Sequence, residues 1–323
     1  MAPVQGGVTP MLDCARQGRD RKGCLDVPKG RSPVAGLSER IRGLPPTGLV
    51  LFPIVSVQLG AAIAKGLFNS LGPGGTVFLR ISFAALVLFV LVRPKLRGHD
   101  RAGYLVATVF GLTLAGMNLS LYLAIDRIPL GVAVTLEFAG PLGVAVAGSR
   151  RLLDLLWAAL AAAGILLLAP LDVLGGTNLD PVGVAFALLA GCLWAGYIIL
   201  SARTGNAFAG GTGLVIALCV GTVVLLPVGI AGAGYALLNP GLLLAGFGVA
   251  MLSSAIPYSL ELEALRKVPA RVFGVLMSLE PAVAAVVGLL VLGERLDVRA
   301  AAAVFLVTVA ATGASRFGRQ DPG

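Results

Sequence analysis

Long apolar runs follow one another along most of this chain, and short breaks rich in glycine, proline and charge separate them. Each run has about 20 residues, which a helix rising about 1.5 Å per residue needs in order to cross a hydrocarbon core of about 30 Å. The pattern therefore predicts an all-α integral membrane protein with ten transmembrane helices. Their approximate bounds are 46–68, 74–92, 102–124, 129–148, 152–171, 181–201, 210–231, 240–261, 269–291 and 297–316.

The two ends of the chain differ from these apolar runs. Residues 1–45 carry eight Lys and Arg against four acids, and they lack the apolar run and the small-residue cleavage site of a signal peptide. We expect this segment to be a disordered basic cytoplasmic tail, or an extension that the fold does not need. Residues 317–323 are expected to form a short cytoplasmic C-terminal tail.

The composition agrees with a bilayer protein and excludes several other classes. Hydrophobic residues make up 57% of the chain and charged residues 13%, whereas soluble domains carry roughly 25% charged residues. The 44 Gly and 19 Pro fit membrane helices, because neighbouring helices satisfy the freed backbone groups. The single His99 and four cysteines without metal-ligand spacing give no reason to expect a metal or a cofactor.

The Lys and Arg residues are distributed unevenly between alternate loops. With the N-terminus inside, 20 of them fall in inside segments, and only Arg127, Arg295 and Arg299 fall in outside loops. Cytoplasmic loops retain an excess of positive charge, so this distribution predicts a multi-pass protein with both termini in the cytoplasm. It also accounts for the net charge of +9 without a nucleic-acid partner.

Two parts of the sequence repeat each other. Residues 128–141 match residues 268–281 at an offset of 140, and residues 74–76 match residues 210–212 at an offset of 136. Five spans are an odd number, so the second copy enters the membrane from the opposite side, as in many secondary transporters. A chance match within Ala-, Leu-, Val- and Gly-rich sequence is the alternative. The two expected five-helix units are residues 46–171 and 172–316.

Few ionisable residues lie inside the predicted spans, where a charge at mid-depth costs about 2.5 to 3.5 kcal/mol on insertion scales. Glu137 and Glu280 are the deep acids, Arg80 lies about two turns into the second span, and Lys65 lies near the outer end of the first. Such residues are expected to face a cavity or a partner. The alternatives are a structural ion pair between Arg80 and Glu137 and a Lys65 side chain that reaches the outer headgroups.

Prolines accompany both deep acids. Pro141 follows Glu137 by four residues and removes the hydrogen bond that the Glu137 carbonyl would accept, while Pro281 follows Glu280 directly. Each half is therefore predicted to contain a bent helix with a carboxylate at the bend. Bent helices with polar groups at mid-depth are where transporters expose backbone and charge to a substrate.

Further polar residues occur in pairs at helical spacing, which places each pair on one helix face. Helix packing explains any single pair, and together the pairs could line a small polar cavity. The pairs are Gln58 with Lys65, Asn118 with Tyr122, and Ser254 with Tyr258.

Taken together, these stretches resemble the EamA-type branch of the drug/metabolite transporter superfamily, and within it the bacterial threonine/homoserine exporter group. The resemblance covers residues of about 46 to 316, which include every predicted span. It implies a ten-helix inverted-repeat transporter of the plasma (inner) membrane that exports small metabolites in exchange for protons. The stretches that carry it are residues 56–62 with Lys65, 79–80, 136–142, 257–261 and 271–282.

The ionisable residues suit an amino acid, which needs a cation for its carboxylate and an anion for its ammonium. We expect Arg80, with Lys65, to bind the carboxylate and Glu137 to bind the ammonium. Glu280 is expected to carry the proton, because a carboxyl group removed from water can change its protonation state near neutral pH. The remaining residues expected to hydrogen-bond the substrate are Gln58, Asn118, Tyr122 and Tyr258.

Other functions compete with amino-acid export. An exporter of the same fold for an uncharged drug or another metabolite would pair Arg80 with Glu137. A membrane enzyme is not expected, because no group of acids has the spacing of a metal or phosphate site. A structural or receptor role lacks any loop long enough for an external domain. The expected partners are an amino-acid-like substrate, protons and the lipid bilayer, and a homodimer is compatible with this scheme.

Overall fold

The computed structural model describes residues 48–94, 96, 100–147, 152–168, 179–208, 211–257, 260 and 276–317. These residues form helices and connecting turns, and none of them lies in a β-strand. The α-helices are α1 Gly48–Gly66, α2 Phe68–Val92, α3 Arg101–Ile125, α4 Leu130–Glu137, α5 Ala139–Ala147, α6 Leu152–Leu168, α7 Pro181–Ala207, α8 Thr212–Ala233, α9 Pro240–Ala250, α10 Glu280–Leu292 and α11 Val298–Phe317. A 3₁₀ turn, Gly234–Leu238, follows α8, and a π turn, Met251–Ala255, follows α9.

The prediction of an all-helical chain is confirmed, and the helices lie along the predicted spans. Within the described ranges, four helical segments are long and apolar enough to cross a membrane: Phe68–Val92, Arg101–Ile125, Pro181–Gly205 and Thr212–Leu238. The shorter apolar helices are Val50–Gly66, Leu130–Val144, Pro240–Ala255, Glu280–Leu292 and Val298–Gly313. That all ten spans cross the membrane therefore stays a prediction.

The start of the second span contains an interruption close to the break that the sequence predicts. The predicted spans leave residues 69–73 between the first and second helices, and the helical geometry of α2 is interrupted within this stretch, at Gly72. Gly72 has a left-handed φ of 64°, which only glycine adopts freely, and Pro73 begins the next helical turn. The chain therefore kinks at Gly72, and a short helical segment that begins at Phe68 precedes the main part of α2.

The fourth span is interrupted at the position that its proline predicts. Helix α4 ends at Glu137 and helix α5 begins at Ala139. Glycines let this break lie close against α7, because a Cβ on Gly140 would be 1.9 Å from the carbonyl oxygen of Gly191. A Cβ on Gly191 would in turn be 2.6 Å from the Glu137 carbonyl oxygen. The carbonyl that Pro141 leaves without its helical partner therefore faces a neighbouring backbone.

A second interruption precedes helix α10. Ser278 and Leu279 form a turn, and Glu280 is the first residue of the helix, with Pro281 in its first turn. Proline is well placed there, because the first residues of a helix have no partner for their N–H groups. Both deep acids thus lie next to a break in a helix, as the sequence predicted.

The helices pack mainly in pairs. Helix α2 packs on α8, α3 on α7, α4 on α10, and α6 on α11. Helix α1 lies against α10 and against the π turn. The largest buried side chains include Tyr122, Ile125, Leu130 and Leu136, which α3 and α4 contribute to a shared core.

The outward-facing side of the bundle is also apolar. Leu105, Val223, Leu290 and Phe305 are each more than half exposed. Extensive exposed apolar surface marks contact with another apolar phase, and for long apolar helices that phase is lipid. The polar side chains that follow are instead turned inward.

Candidate substrate site

Arg80 is buried in the middle of helix α2 and is held by groups from two other elements. Its Nε donates a hydrogen bond of 3.2 Å to the Ser254 hydroxyl, and its Nη2 donates one of 3.1 Å to the Ser253 carbonyl. Its Nη1 donates to the Tyr122 hydroxyl at 3.3 Å, and its Cζ lies 5.5 Å from the centroid of that ring. The guanidinium is therefore fixed between α3 and the π turn.

The face of α3 that carries Tyr122 also carries Asn118. Tyr122 is fully buried, and its ring packs against Phe68 with the ring centroids 5.6 Å apart. The Asn118 amide nitrogen donates to the Leu114 carbonyl of the same helix at 2.8 Å. Tyr122 thus contacts Arg80 directly, whereas the Asn118 amide nitrogen is bonded within α3.

Gln58 and Glu280 meet between α1 and the start of α10. The Gln58 Nε2 donates to Glu280 Oε1 at 3.3 Å, and both side chains are buried. The Gln58 Oε1 is also buried, and no described residue donates a hydrogen bond to it. Gln58 therefore has an acceptor still to be satisfied beside the carboxylate of Glu280.

Glu137 lies at the end of α4 with 5% of its surface exposed. It interacts electrostatically with both Glu280 and Arg80. The ion pairs among the described residues are Lys65–Glu294 and Arg127–Asp180, so Glu137 and Arg80 are near each other without forming one. The structural Arg80–Glu137 ion pair, which the sequence left open, is therefore not formed in this structure.

Lys65 lies at the end of α1, in a different set of contacts. Its Nζ is 2.7 Å from Glu294 Oε1 and donates at 3.4 Å to the Ile128 carbonyl. The other oxygen of Glu294 accepts a hydrogen bond of 2.8 Å from the Leu130 N–H, at the start of α4. Lys65 thus bonds Glu294 and Ile128, whereas Arg80 bonds Ser253, Ser254 and Tyr122. The two cations therefore lie in different sets of contacts.

Tyr258 lies outside the described residues. The structure thus brings together Gln58, Glu280, Glu137, Arg80 and Tyr122, adds Asn118 one turn away, and places Lys65 at the end of α1. From the sequence, Ser254 was expected only as one of several residues that could line a polar cavity, and no role was assigned to Ser253 or Glu294. The two adjacent serines in an otherwise apolar run were a usable signal for Ser253, whereas Glu294 beside Arg295 looked like any loop charge.

An apolar helical body that encloses an arginine and two glutamates defines a multi-pass membrane transporter as the class of protein. Comparison with known proteins gives the family. Residues 181–316 match the EamA-like transporter family. The chain is 39% identical over 277 residues to the threonine/homoserine exporter RhtA of Salmonella typhimurium, covering 86% of this chain and 93% of that protein.

A second relative is the threonine/homoserine exporter RhtA of Escherichia coli, which is 41% identical over 253 residues, or 78% of this chain and 84% of that protein. The chain therefore belongs to the EamA-like transporter family. These relatives are transporters, so the expectation of a transporter rather than an enzyme is confirmed. A solved crystal structure of an 18% identical protein shares the fold, with a TM-score of 0.53 over 84% of this chain and 99% of that one.

Proposed function

We propose that this transporter exports small amino acids of the threonine and homoserine type across the plasma (inner) membrane in exchange for protons. The curated relatives, at 39% and 41% identity over most of the chain, are threonine/homoserine exporters. The buried ionisable groups fit that substrate class, because a zwitterion presents one anionic and one cationic group a few ångströms apart.

One observation carries the proposal. The carboxylate of Glu137 is buried and within electrostatic range of Arg80, yet among the described residues it receives no hydrogen bond and joins no ion pair. A buried charge is costly unless it is paired. An amino acid between the two side chains would supply the missing partner, with its carboxylate at Arg80 and its ammonium at Glu137.

The neighbouring polar groups are proposed to complete the site. Tyr122 and Gln58 already contact Arg80 and Glu280, and the acceptor oxygen of Gln58 can receive a substrate hydroxyl or ammonium hydrogen. We assign Asn118 and Tyr258 to the same cavity on the strength of their positions along the helices. The part of Lys65 in binding the carboxylate stays a prediction, since Glu294 engages it in this structure.

Glu280 is the proposed proton carrier. Its carboxylate accepts a hydrogen bond from Gln58 and interacts electrostatically with Glu137. A nearby charge changes the proton affinity of a carboxyl group, so an ammonium that arrives at Glu137 also acts on the proton held at Glu280. This coupling is the physical basis for exchanging a substrate against a proton.

The site is proposed to lie between two inverted five-helix halves, residues 46–171 and 172–316, with both termini in the cytoplasm. Two features support this architecture. Helices at equivalent places in the two repeats pack on each other, namely α2 on α8, α4 on α10, and α6 on α11. The helix break at Phe138 and the turn at Ser278 also lie at the offset of the sequence repeat.

Counterflow in proteoliposomes tests the proposal. Purified protein in vesicles loaded with unlabelled threonine should accumulate radiolabelled threonine and homoserine, and Arg80→Ala should abolish this uptake. Threoninamide, which lacks the carboxylate, should compete poorly. Absence of threonine and homoserine counterflow from a folded protein that moves an uncharged compound independently of Arg80 would favour the alternative exporter.

The proton step needs its own measurement. Glu280→Gln should retain counterflow, which requires no net proton movement, and should lose uptake driven by a pH gradient. Glu294→Gln is the matched control, because that carboxylate lies at the end of the bundle and should leave the gradient-driven uptake intact. Gradient-driven uptake that survives Glu280→Gln would move the proton role to another group.

A further inference from the structure

We infer that Ser254, with the π turn Met251–Ala255, positions the Arg80 guanidinium for the substrate carboxylate and thereby sets the affinity for amino acids. Ser254 is a positioning residue in this scheme, because it acts through Arg80. The inference rests on the proposed function and adds to it a specific role for a residue that the sequence gave only as a possible member of the cavity lining.

The contacts of Arg80 orient the guanidinium plane. Two neighbouring donors, Nε and Nη2, reach two consecutive residues of the turn, the hydroxyl of Ser254 at 3.2 Å and the carbonyl of Ser253 at 3.1 Å. The guanidinium is rigid and planar, so two hydrogen bonds along one edge fix its plane. Tyr122 supports it from the other side with a hydrogen bond of 3.3 Å.

The sequence explains why the Ser253 carbonyl is available to Arg80. In an α-helix this carbonyl would accept a hydrogen bond from the N–H of residue 257, but that residue is Pro257, which has none. The backbone responds with a π turn, in which the Ile256 N–H bonds to the Met251 carbonyl five residues back. Arg80 supplies the hydrogen bond that Pro257 cannot.

The π turn is itself fixed against helix α1. The Ser56 hydroxyl donates a hydrogen bond of 2.7 Å to the Leu252 carbonyl. Gly60 permits the close approach, because a Cβ there would be 2.1 Å from the Ser253 hydroxyl oxygen. A turn held in this way offers Arg80 acceptors at defined positions, which a mobile loop would not do.

Substrate affinity is the quantity that Ser254 should control. Without its hydroxyl, Arg80 keeps its charge but loses one of the two bonds that fix its plane, so a carboxylate would meet a less ordered partner. Hydrogen bonds to charged groups are strong enough for a loss of about 10-fold in affinity. The maximal rate should change by less than about 2-fold, because the bond supports binding rather than movement.

The test compares three variants in threonine counterflow. Ser254→Ala should raise the KM for threonine about 10-fold, and Ser254→Thr, which keeps a hydroxyl, should restore it. The Ki of threoninamide as a competitor should stay unchanged in Ser254→Ala, because threoninamide has no carboxylate for Arg80 to bind. Ser201→Ala is the matched control, since that hydroxyl donates a hydrogen bond of 2.9 Å to the Ile198 carbonyl of its own helix.

A double variant, which combines Ser254→Ala with a substitution of Arg80, tests whether Ser254 acts through Arg80. In Arg80→Lys the planar donor edge is absent, so adding Ser254→Ala should change the remaining activity by less than about 2-fold. Equal losses for threonine and threoninamide, or a failure of Ser254→Thr to restore the KM, would overturn the positioning role. A wild-type KM in Ser254→Ala would do the same, provided that Arg80→Ala abolishes transport. Full counterflow in Arg80→Ala would instead reject the proposed substrate site itself.

Discussion

The charged residues of this transporter are arranged differently in the middle of the bundle and at one of its ends. In the middle, Arg80 and Glu137 influence each other without forming an ion pair. At the end, Lys65 and Glu294 approach to 2.7 Å, and Arg127 and Asp180 approach to 2.9 Å. The central side chains are buried, whereas the side chains of the end pairs range from 13% to 44% exposed.

This difference separates two uses of charge. An ion pair near water costs little to form and contributes at most about 1 kcal/mol, so it can join helices without another role. A buried charge costs more than it contributes to stability unless it is paired, and Glu137 joins no ion pair among the described residues. Ionisable residues buried in membrane proteins mark substrate or ion pathways. We therefore propose that substrate acts around Arg80 and Glu137 and that the end pairs give structural support.

The largest expected effect is that of removing the central cation. Arg80→Ala should lower threonine counterflow at least about 100-fold, because truncating one member of a buried charge arrangement costs several kcal/mol. Arg127→Ala removes a cation from an end pair and should stay within about 2-fold of wild type. The measurement is initial counterflow rate at matched protein content, with thermal unfolding to show that both variants fold. Equal losses in the two variants would erase the distinction between the regions.

Glu137→Gln should have the next largest effect. The amide keeps the size of the side chain but cannot neutralise an ammonium, so the KM for threonine should rise about 10- to 100-fold. Glu294→Gln, the same exchange at the end of the bundle, should leave the KM within about 3-fold of wild type. A KM for threonine that is unchanged in Glu137→Gln would remove the ammonium assignment and leave Glu137 with a structural role.

The helices and the polar residues of the central region could be predicted from the sequence, because both depend on local signals. Apolar runs of sufficient length fix the helices, and Pro141 fixes the break beside Glu137. The contact between Lys65 and Glu294 joins residues 229 positions apart, so no local pattern reports it. The proposed role of Ser254 depends on the π turn. Pro257 indicates an irregular helix at this place, but the sequence does not show that Arg80 lies opposite it.

The Lys65–Glu294 pair offers a finer test of the comparison. Lys65→Met and Glu294→Gln should each lower the thermal midpoint slightly, and the double variant should lose less than the sum of the two, with a coupling of about 0.5 to 1 kcal/mol. Counterflow should fall by no more than a few-fold in either single variant. A loss of transport in Lys65→Met as large as that in Arg80→Ala would return Lys65 to the substrate carboxylate, as the sequence predicted.

The smallest expected effect belongs to Asp180, just before helix α7, whose side chain caps the helix by accepting a hydrogen bond from the Val182 N–H at 2.9 Å. The hydrogen bond from Arg127, together with backbone N–H groups at the helix start, lowers the pKa of Asp180 below its ordinary value of 3.8.

A carboxylate with a lowered pKa contributes stability above its unfolded pKa and loses that contribution as the pH falls through the folded value. Wild type should therefore unfold at a slightly higher temperature than Asp180→Asn at pH 7, and the difference should shrink as the pH falls below the ordinary pKa of 3.8. Because both side chains are hydrated, added salt should also reduce it. A difference that grows on acidification would contradict the sign of this pKa shift, and a difference insensitive to both salt and pH would mean that the cap, which Asn retains in part, outweighs the charge.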